Sequence, residues 1–192
     1  MSDLTITNAG VSVTPNSPGS SNSGSKRAVI RLTPTLTASE HIDGDVLFTA
    51  LEVPNAVQGE GGISVLKGAF LVDHGTEHSD VDYIFTFTEG STIIGSPDAT
   101  ANISSADFTA NKMTGFCKLD GSSANGVDFD NFRLHQILPA SGGNEQTHDL
   151  TYLKAAEGST SAYMHCHIYT VNASANPTYT ANQFDIILHI EY

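Results

Sequence analysis

From Lys26 onward, apolar and polar residues alternate with a period of two over nearly the whole chain. Side chains on a strand point alternately to opposite faces, so this pattern commits the chain to half-buried β-strands and leaves little room for helices. Val81, Tyr83, Phe85 and Phe87 share one face, with Asp82, Thr86 and Thr88 expected mostly toward solvent. Phe184, Ile186, Leu188, Ile190 and Tyr192 share a face opposite Asp185, Ile187, His189 and Glu191. Ala162, Met164, Cys166 and Ile168 face together, with Tyr163, His165, His167 and Tyr169 on the reverse. Further strands are expected at 27–33, 45–53, 63–72, 113–119, 132–138 and 149–155. Turn signals separate them at Asp43-Gly44, Gly59 to Gly62, Asp120-Gly121, Ser141 to Asn144 and Gly158. One helical signal stands out: Ser104 or Ser105 capping a short turn through Ala106, Asp107, Phe108 and Ala110 before a strand at Met113. Eight or nine short strands with no βαβ alternation predict an all-β fold, an antiparallel β-sandwich or jelly roll.

Ahead of this body the sequence changes character. Residues 16–25 read NSPGSSNSGS, drawn only from Gly, Ser, Pro and Asn, and are expected to form a flexible tether. The tether divides a 1–25 N-terminal arm from a 26–192 β-sandwich domain. Within the arm Leu4 and Ile6, then Val11 and Val13, alternate with polar residues, strand patterning on a piece too short to fold alone. Such a segment is expected to dock as an edge strand, either on its own domain or on a neighbour by β-augmentation.

Charge narrows the function. The 192 residues carry 21 acidic and 8 basic side chains, a formal net charge of -13. So few cations cannot track a phosphate backbone, so no nucleic acid partner is expected, and an anionic membrane surface would repel the chain. No apolar run reaches the length of a membrane span, and the opening MSDLTITNAG lacks a basic n-region and an apolar h-region. Synthesis and folding in the cytoplasm are therefore expected. Cys117 and Cys166, with no CxxC spacing, read as two buried thiols.

The search for reactive constellations is mostly empty. GxSxG, P-loop, GxGxxG and HExxH patterns are all missing. Asp43/Asp45, Asp80/Asp82 and Asp128/Asp130 stand at i, i+2, where each pair would share a strand face. Such pairs can serve a glycosidase or a calcium ion, Asp43-Gly44-Asp45 being the best placed for calcium, but read first as solubilising acids at loops and strand ends. His74 and His78 have helical metal spacing, yet Gly75 and the neighbouring acids read as a loop. His165 and His167 share a face with Tyr163 and Tyr169, and His189 would join them if the last two strands pair. Three imidazoles would suit zinc, or iron as in cupins. A cupin motif needs G-x-H-x-H followed by Glu, whereas His165-Cys166-His167 follows Tyr163-Met164 and no Glu appears in the next twenty residues. The preferred reading is a half-exposed Tyr/His face packed against a partner subunit, with no catalytic residue, no metal and no cofactor. Several histidines at one interface would make assembly sensitive to mild acid.

Gly44 to Val57 (GDVLFTALEVPNAV), Gly62 to Leu66 (GISVL), Gly158 to Tyr163 (GSTSAY) and Pro177 to Tyr192 (PTYTANQFDIILHIEY) resemble small virion proteins of tailed bacteriophages, notably marine and cyanobacterial ones. The similarity spans roughly residues 27 to 192, in strand-and-turn patterns without a reactive residue. The resemblance implies a non-enzymatic structural protein on the capsid surface of a virion, a decoration or cement protein on a β-sandwich scaffold. Its implied partners are the major capsid protein and further copies of itself in a homo-oligomer, a trimer being favoured. Leu4, Ile6, Val11 and Val13 of the arm, with Tyr163, His165, His167 and Tyr169, are the expected interface residues. An alternative is a glycan-binding or host-recognition module of a tail fibre or capsid surface using Tyr163, Tyr169 and acidic loops, disfavoured by the lack of any Trp. A third is a cupin-like metalloenzyme on His165, His167 and His189.

Overall fold

A computed structural model describes residues 6–8, 11–13, 26–75, 80–119, 121, 126–130, 132–136, 151–171 and 176–192. The described strands are β1 (Ile6–Asn8), β2 (Val11–Val13), β3 (Arg27–Leu32), β4 (Val46–Val53), β5 (Ile63–Asp73), β6 (Val81–Thr88), β7 (Met113–Leu119), β8 (Gly126–Asp128), β9 (Arg133–Gln136), β10 (Thr151–Lys154), β11 (Ala162–Val171) and β12 (Phe184–Glu191). A single short helix, α1 (Ser105–Asn111), precedes β7. Its start follows the sequence signal: Ser104 is the N-cap and forms a reciprocal capping box with Asp107. Strand β8 carried no sequence signal, and the turn expected at Ser141 to Asn144 lies outside the described residues.

The long strands pair like one ribbon folded in half. β3 pairs with β12, β4 with β11, β5 with β9 and β6 with β7, all antiparallel. Two further antiparallel contacts, β12 with β5 and β11 with β6, roll the ribbon over on itself. The result is two sheets, ordered β3-β12-β5-β9-β8 and β4-β11-β6-β7. This is the strand order of a jelly roll. Strand β9 covers Phe70 to Asp73 of β5, while β10 covers Ile63 to Leu66 of the same edge.

The core fills the space between the sheets with the faces that alternation assigned inward. Ala162, Met164, Cys166 and Ile168 from β11 and Phe184, Ile186, Leu188 and Ile190 from β12 are all at most 1% exposed. Each large side chain so buried contributes about 2–3 kcal/mol by removal of apolar area from water. Both cysteines are buried and free, and burial drives their thiols up, away from the reactive thiolate form. At one end of the core the hydroxyls of Tyr83 and Tyr179 meet at 2.8 Å, satisfying two polar groups that would otherwise be stranded.

Two expectations need correction. Asp82, Thr86 and Thr88 are not solvent-facing but only 7%, 3% and 0% exposed. They do sit on the outer face of β6, where Asp82 binds Lys118 Nζ at 3.1 Å and the Gly121 amide at 3.1 Å, and Thr88 is covered by the chain that follows it. The last two strands do not pair: β11 and β12 lie in opposite sheets, so His189 is remote from the His165 strand and its ring packs on Phe70 instead. Of the two docking modes expected for the arm, the described residues do not show the first, an edge strand on its own sandwich. Ile6–Asn8 pairs with Val11–Val13, the two strands making a sheet of their own, and Leu4 lies outside the described residues.

Candidate functional site

Strand β11 runs through the middle of the four-stranded sheet and turns Tyr163, His165, His167 and Tyr169 to its outer face. The four residues share that face, as alternation requires, but the structure gives them different surroundings. Tyr169 is open, 54% exposed, with Lys118 Nζ 4.6 Å from its ring centroid. That ammonium occupies one face of the ring in cation–π geometry. Tyr163 and His167 are half-buried. His167 borders a small pocket, about large enough for one water, shared with Val46, Thr86, Ile94, Ala101, Ile103 and His165.

His165 is not a surface residue; it is 3% exposed. Its ring is enclosed by β4, β6 and the chain after β6. The Ala50 amide donates to Nδ1 at 3.0 Å, which fixes Nδ1 as the unprotonated nitrogen. The Thr49 hydroxyl then donates to the same Nδ1 at 2.8 Å, while its oxygen accepts the Ile94 amide at 2.8 Å. On the other side Nε2–H donates to Thr88 Oγ1 at 3.0 Å, and the Thr88 hydroxyl passes on to the Gly90 carbonyl at 2.9 Å. Every donor in this chain has an acceptor, with a neutral imidazole in the middle. Burial pulls the His165 pKa down to about 4, and burial also lowers that of His167. With both ring nitrogens committed, His165 offers no lone pair to a metal, and the three-imidazole arrangement with His167 and His189 is not assembled.

The backbone bends to admit this ring. Met164 pairs with Leu51 and Cys166 with Phe48, so Thr49 and Ala50 together oppose the single residue His165 in a β-bulge. Ala50 takes φ 52°, the left-handed region. Of the six non-glycine residues with positive φ among those described, four are Asn or Asp and Lys112 caps α1, so Ala50 alone adopts it without local help. Ala50→Val is therefore expected to lose about 2 kcal/mol, because a β-branched side chain is strained at this φ, while Ala50→Gly stays within about 0.5 kcal/mol of wild type. Chemical denaturation of both variants checks it, and equal stability of the two would remove the bulge strain from the account.

The paired acids separate into individual tasks. Asp43 Oδ1 accepts the Val171 amide at 2.6 Å and Asp45 Oδ2 accepts the Ile42 amide at 2.8 Å, so Asp43 and Asp45 serve different neighbours. Asp80 binds Arg133 at 3.2 Å, and Asp128 accepts the Asp130 amide at 2.9 Å. His74 pairs with Asp185 at 3.0 Å, while His78 lies outside the described residues. Sequence reasoning passed over His41, which is fully buried beside Asp45 and Asp98. No spacing motif joins these three residues.

No family model matches the chain, and no curated protein matches it. Among solved structures, it aligns with a cryo-EM structure of the semi-empty virus-like particle of a nodavirus of the giant freshwater prawn Macrobrachium rosenbergii. The alignment covers 97% of this chain and 94% of that one, with 8% identity and a TM-score of 0.26. A likeness that slight carries no argument about fold, so the jelly-roll assignment rests on the strand order alone.

Proposed function

We propose that this chain is a structural virion protein, a decoration or cement protein of a tailed phage that binds the outside of the capsid as a homo-oligomer and performs no catalysis. The observation that carries the reading is the jelly-roll strand order, an architecture used by viral shell subunits, lectins and cupins. Fold alone does not select among these, so the site must. The cupin option loses its ligands, since His165 spends both ring nitrogens on Thr49, Ala50 and Thr88 and His189 sits in the other sheet. The glycan option loses half of its best platform, since Lys118 covers one face of the Tyr169 ring. The resemblance of Gly44 to Val57 and Pro177 to Tyr192 to phage virion proteins favours the shell.

In this reading residues 1–25 hold a neighbouring capsid protein, while Tyr169 and the half-buried Tyr163 and His167 border a contact between copies. His165 acts beneath that surface, tying β11 to β4 and to the end of β6. Many modest contacts add by multivalency on a lattice. Deleting residues 1–25 tests the arm. The truncated protein is expected to melt with the intact chain and to lose at least about 10-fold in binding to expanded capsids of its source virus, read by co-sedimentation. Equal coating by both proteins would discard the arm as the anchor. An intact chain that neither self-associates in light scattering nor binds capsids would discard the virion role.

A further inference from the structure

At the end of the sandwich where the chain enters β4, three side chains from separate segments converge. One ligand atom each from His41, Asp45 and Asp98 lies within 4.8 Å of the others, and His41 Nδ1 stands 3.6 Å from Asp98 Oδ1. His41 is fully buried and Asp45 is 5% exposed, while the Asp98 side chain, at 38%, opens to solvent. The backbone holding them is stitched together. Val46 N bonds Ala99 O at 2.9 Å, Asp98 N bonds Val46 O at 2.8 Å, and Ala101 N bonds Gly44 O at 2.7 Å. The His41 amide is fixed to Pro177 O at 2.9 Å, and its ring packs on Tyr179.

The arrangement lacks something electrostatically. His41 Nε2 faces the Thr37 carbonyl, an acceptor only, at 3.4 Å, so a neutral ring carries its proton on Nε2 and presents its lone pair at Nδ1. That Nδ1 is buried and has no hydrogen-bond partner among the described residues. It points toward a carboxylate oxygen, acceptor to acceptor, with the carboxylate of Asp45 close by. A buried acceptor left unsatisfied is rare because it forfeits its full hydration. A cation between the three groups would give the buried Nδ1 its partner and bridge it to both carboxylates, Asp45 already accepting the Ile42 amide through Oδ2.

We propose that His41, Asp45 and Asp98 form a binding site for a divalent metal ion, Zn²⁺ by preference, that ties the segment before β4 to the segment after β6. One imidazole and two carboxylates are a common zinc ligand set, with ligand bonds of about 2.0–2.2 Å. Such bonds set the ligand atoms of a tetrahedral site roughly 3.3 Å apart. The 3.6 Å pair already approaches that spacing. The Nε2–H contact to the Thr37 carbonyl is the outer contact that orients a metal-binding imidazole. Calcium fits worse, since it takes six to eight oxygen ligands and does not favour nitrogen. Exposed Asp98 leaves the fourth position to water.

Calorimetric titration of the chelator-treated full chain with ZnCl₂ tests the site, with CaCl₂ as the competing probe. One Zn²⁺ per chain is expected to bind at micromolar or tighter Kd, with Ca²⁺ binding at least about 100-fold weaker. Asp98→Asn is the deciding variant. Asn tolerates φ 65° and keeps the Asp98 amide bond to Val46, so the fold survives, while zinc affinity falls at least about 10-fold. His189→Ala, which removes an exposed imidazole from the other sheet, is expected to leave the titration unchanged. An absence of saturable Zn²⁺ uptake overturns the proposal. Uptake unchanged in Asp98→Asn overturns it too, placing the metal on another histidine.

Discussion

His165→Leu is expected to lose about 3 kcal/mol of stability at pH 7.5, a fall in Tm of roughly 6–12 °C for a domain of this size. Leucine fills most of the ring's volume, so the loss isolates the hydrogen bonds rather than a cavity. It strands the Ala50 amide and the Thr49 hydroxyl proton, while Thr88 keeps its bond to the Gly90 carbonyl and loses only the ring N–H it accepts, and unsatisfied buried groups cost about 1–3 kcal/mol each when partners cannot rearrange. Acid acts on the wild-type protein through the same ring. Its folded pKa, about 4, lies below the 6.5 of a free imidazole, so between these values the unfolded chain binds more protons than the folded one. Stability therefore rises with pH across this window, is fully present above it, and is lost as pH falls from 6.5 toward 4. The loss is about 2 kcal/mol by pH 5 and about 3 kcal/mol once the folded ring is protonated. His167, also lowered by burial, adds in the same direction. Urea melts of both proteins at pH 7.5 and pH 5 read the effect. A variant that matches wild type at pH 7.5, or that keeps the wild-type loss between the two pH values, would contradict the assigned network.

Gly121→Ala is expected to lose about 3 kcal/mol or more, at the upper end for an overpacked site. The Cβ of any residue there would run into the Val81 carbonyl oxygen and lie 2.5 Å from its carbon, which are backbone atoms of the start of β6. A flexible side chain could swing aside, but a strand cannot. To admit the methyl group, β6 and the chain leaving β7 must separate, which breaks the Gly121 amide bond to Asp82 and disturbs the Asp82–Lys118 pair. Gly68→Ala serves as the comparison, because a Cβ there meets nothing within 4 Å and the backbone is not left-handed. It is expected to stay within about 0.5 kcal/mol of wild type or gain slightly, since glycine in a strand interior is entropically unfavourable. Denaturant melts showing similar stability for the two variants would mean that the close approach of β6 and β7 is not rigid.

The distance between sequence and structure is clearest on β11. Alternation named the inner face, Ala162 to Ile168, and the outer face, Tyr163 to Tyr169, and the sandwich keeps both. It did not show that His165 would be roofed over. Covering a face depends on the chain after β6 folding back, and Ile94 and Gly90 stand 71 and 75 residues before the ring they help enclose. Asp82, Thr86 and Thr88 also read as solvent-facing yet are buried, Thr88 under the same chain and Asp82 under Lys118 and Gly121. The i, i+2 spacing of the acids likewise said nothing of their partners. Asp45 finds its companions in His41 and Asp98, not in Asp43, because loops and not strand faces set the geometry at that end.

By itself, then, the sequence determined the local terms. A period-two pattern can bury only one face of each strand, turn residues punctuate it, and a Ser104–Asp107 pair starts the one helix. A charge of -13 set the expectation that polyanionic partners are repelled. Tertiary structure alone decided that β11 and β12 part into opposite sheets, that His165 becomes a neutral pin, and that His41 meets Asp98. Each of these joins residues far apart along the chain, where the choice is made by which surfaces pack and which polar groups find partners. No neighbouring residue carries a record of that choice.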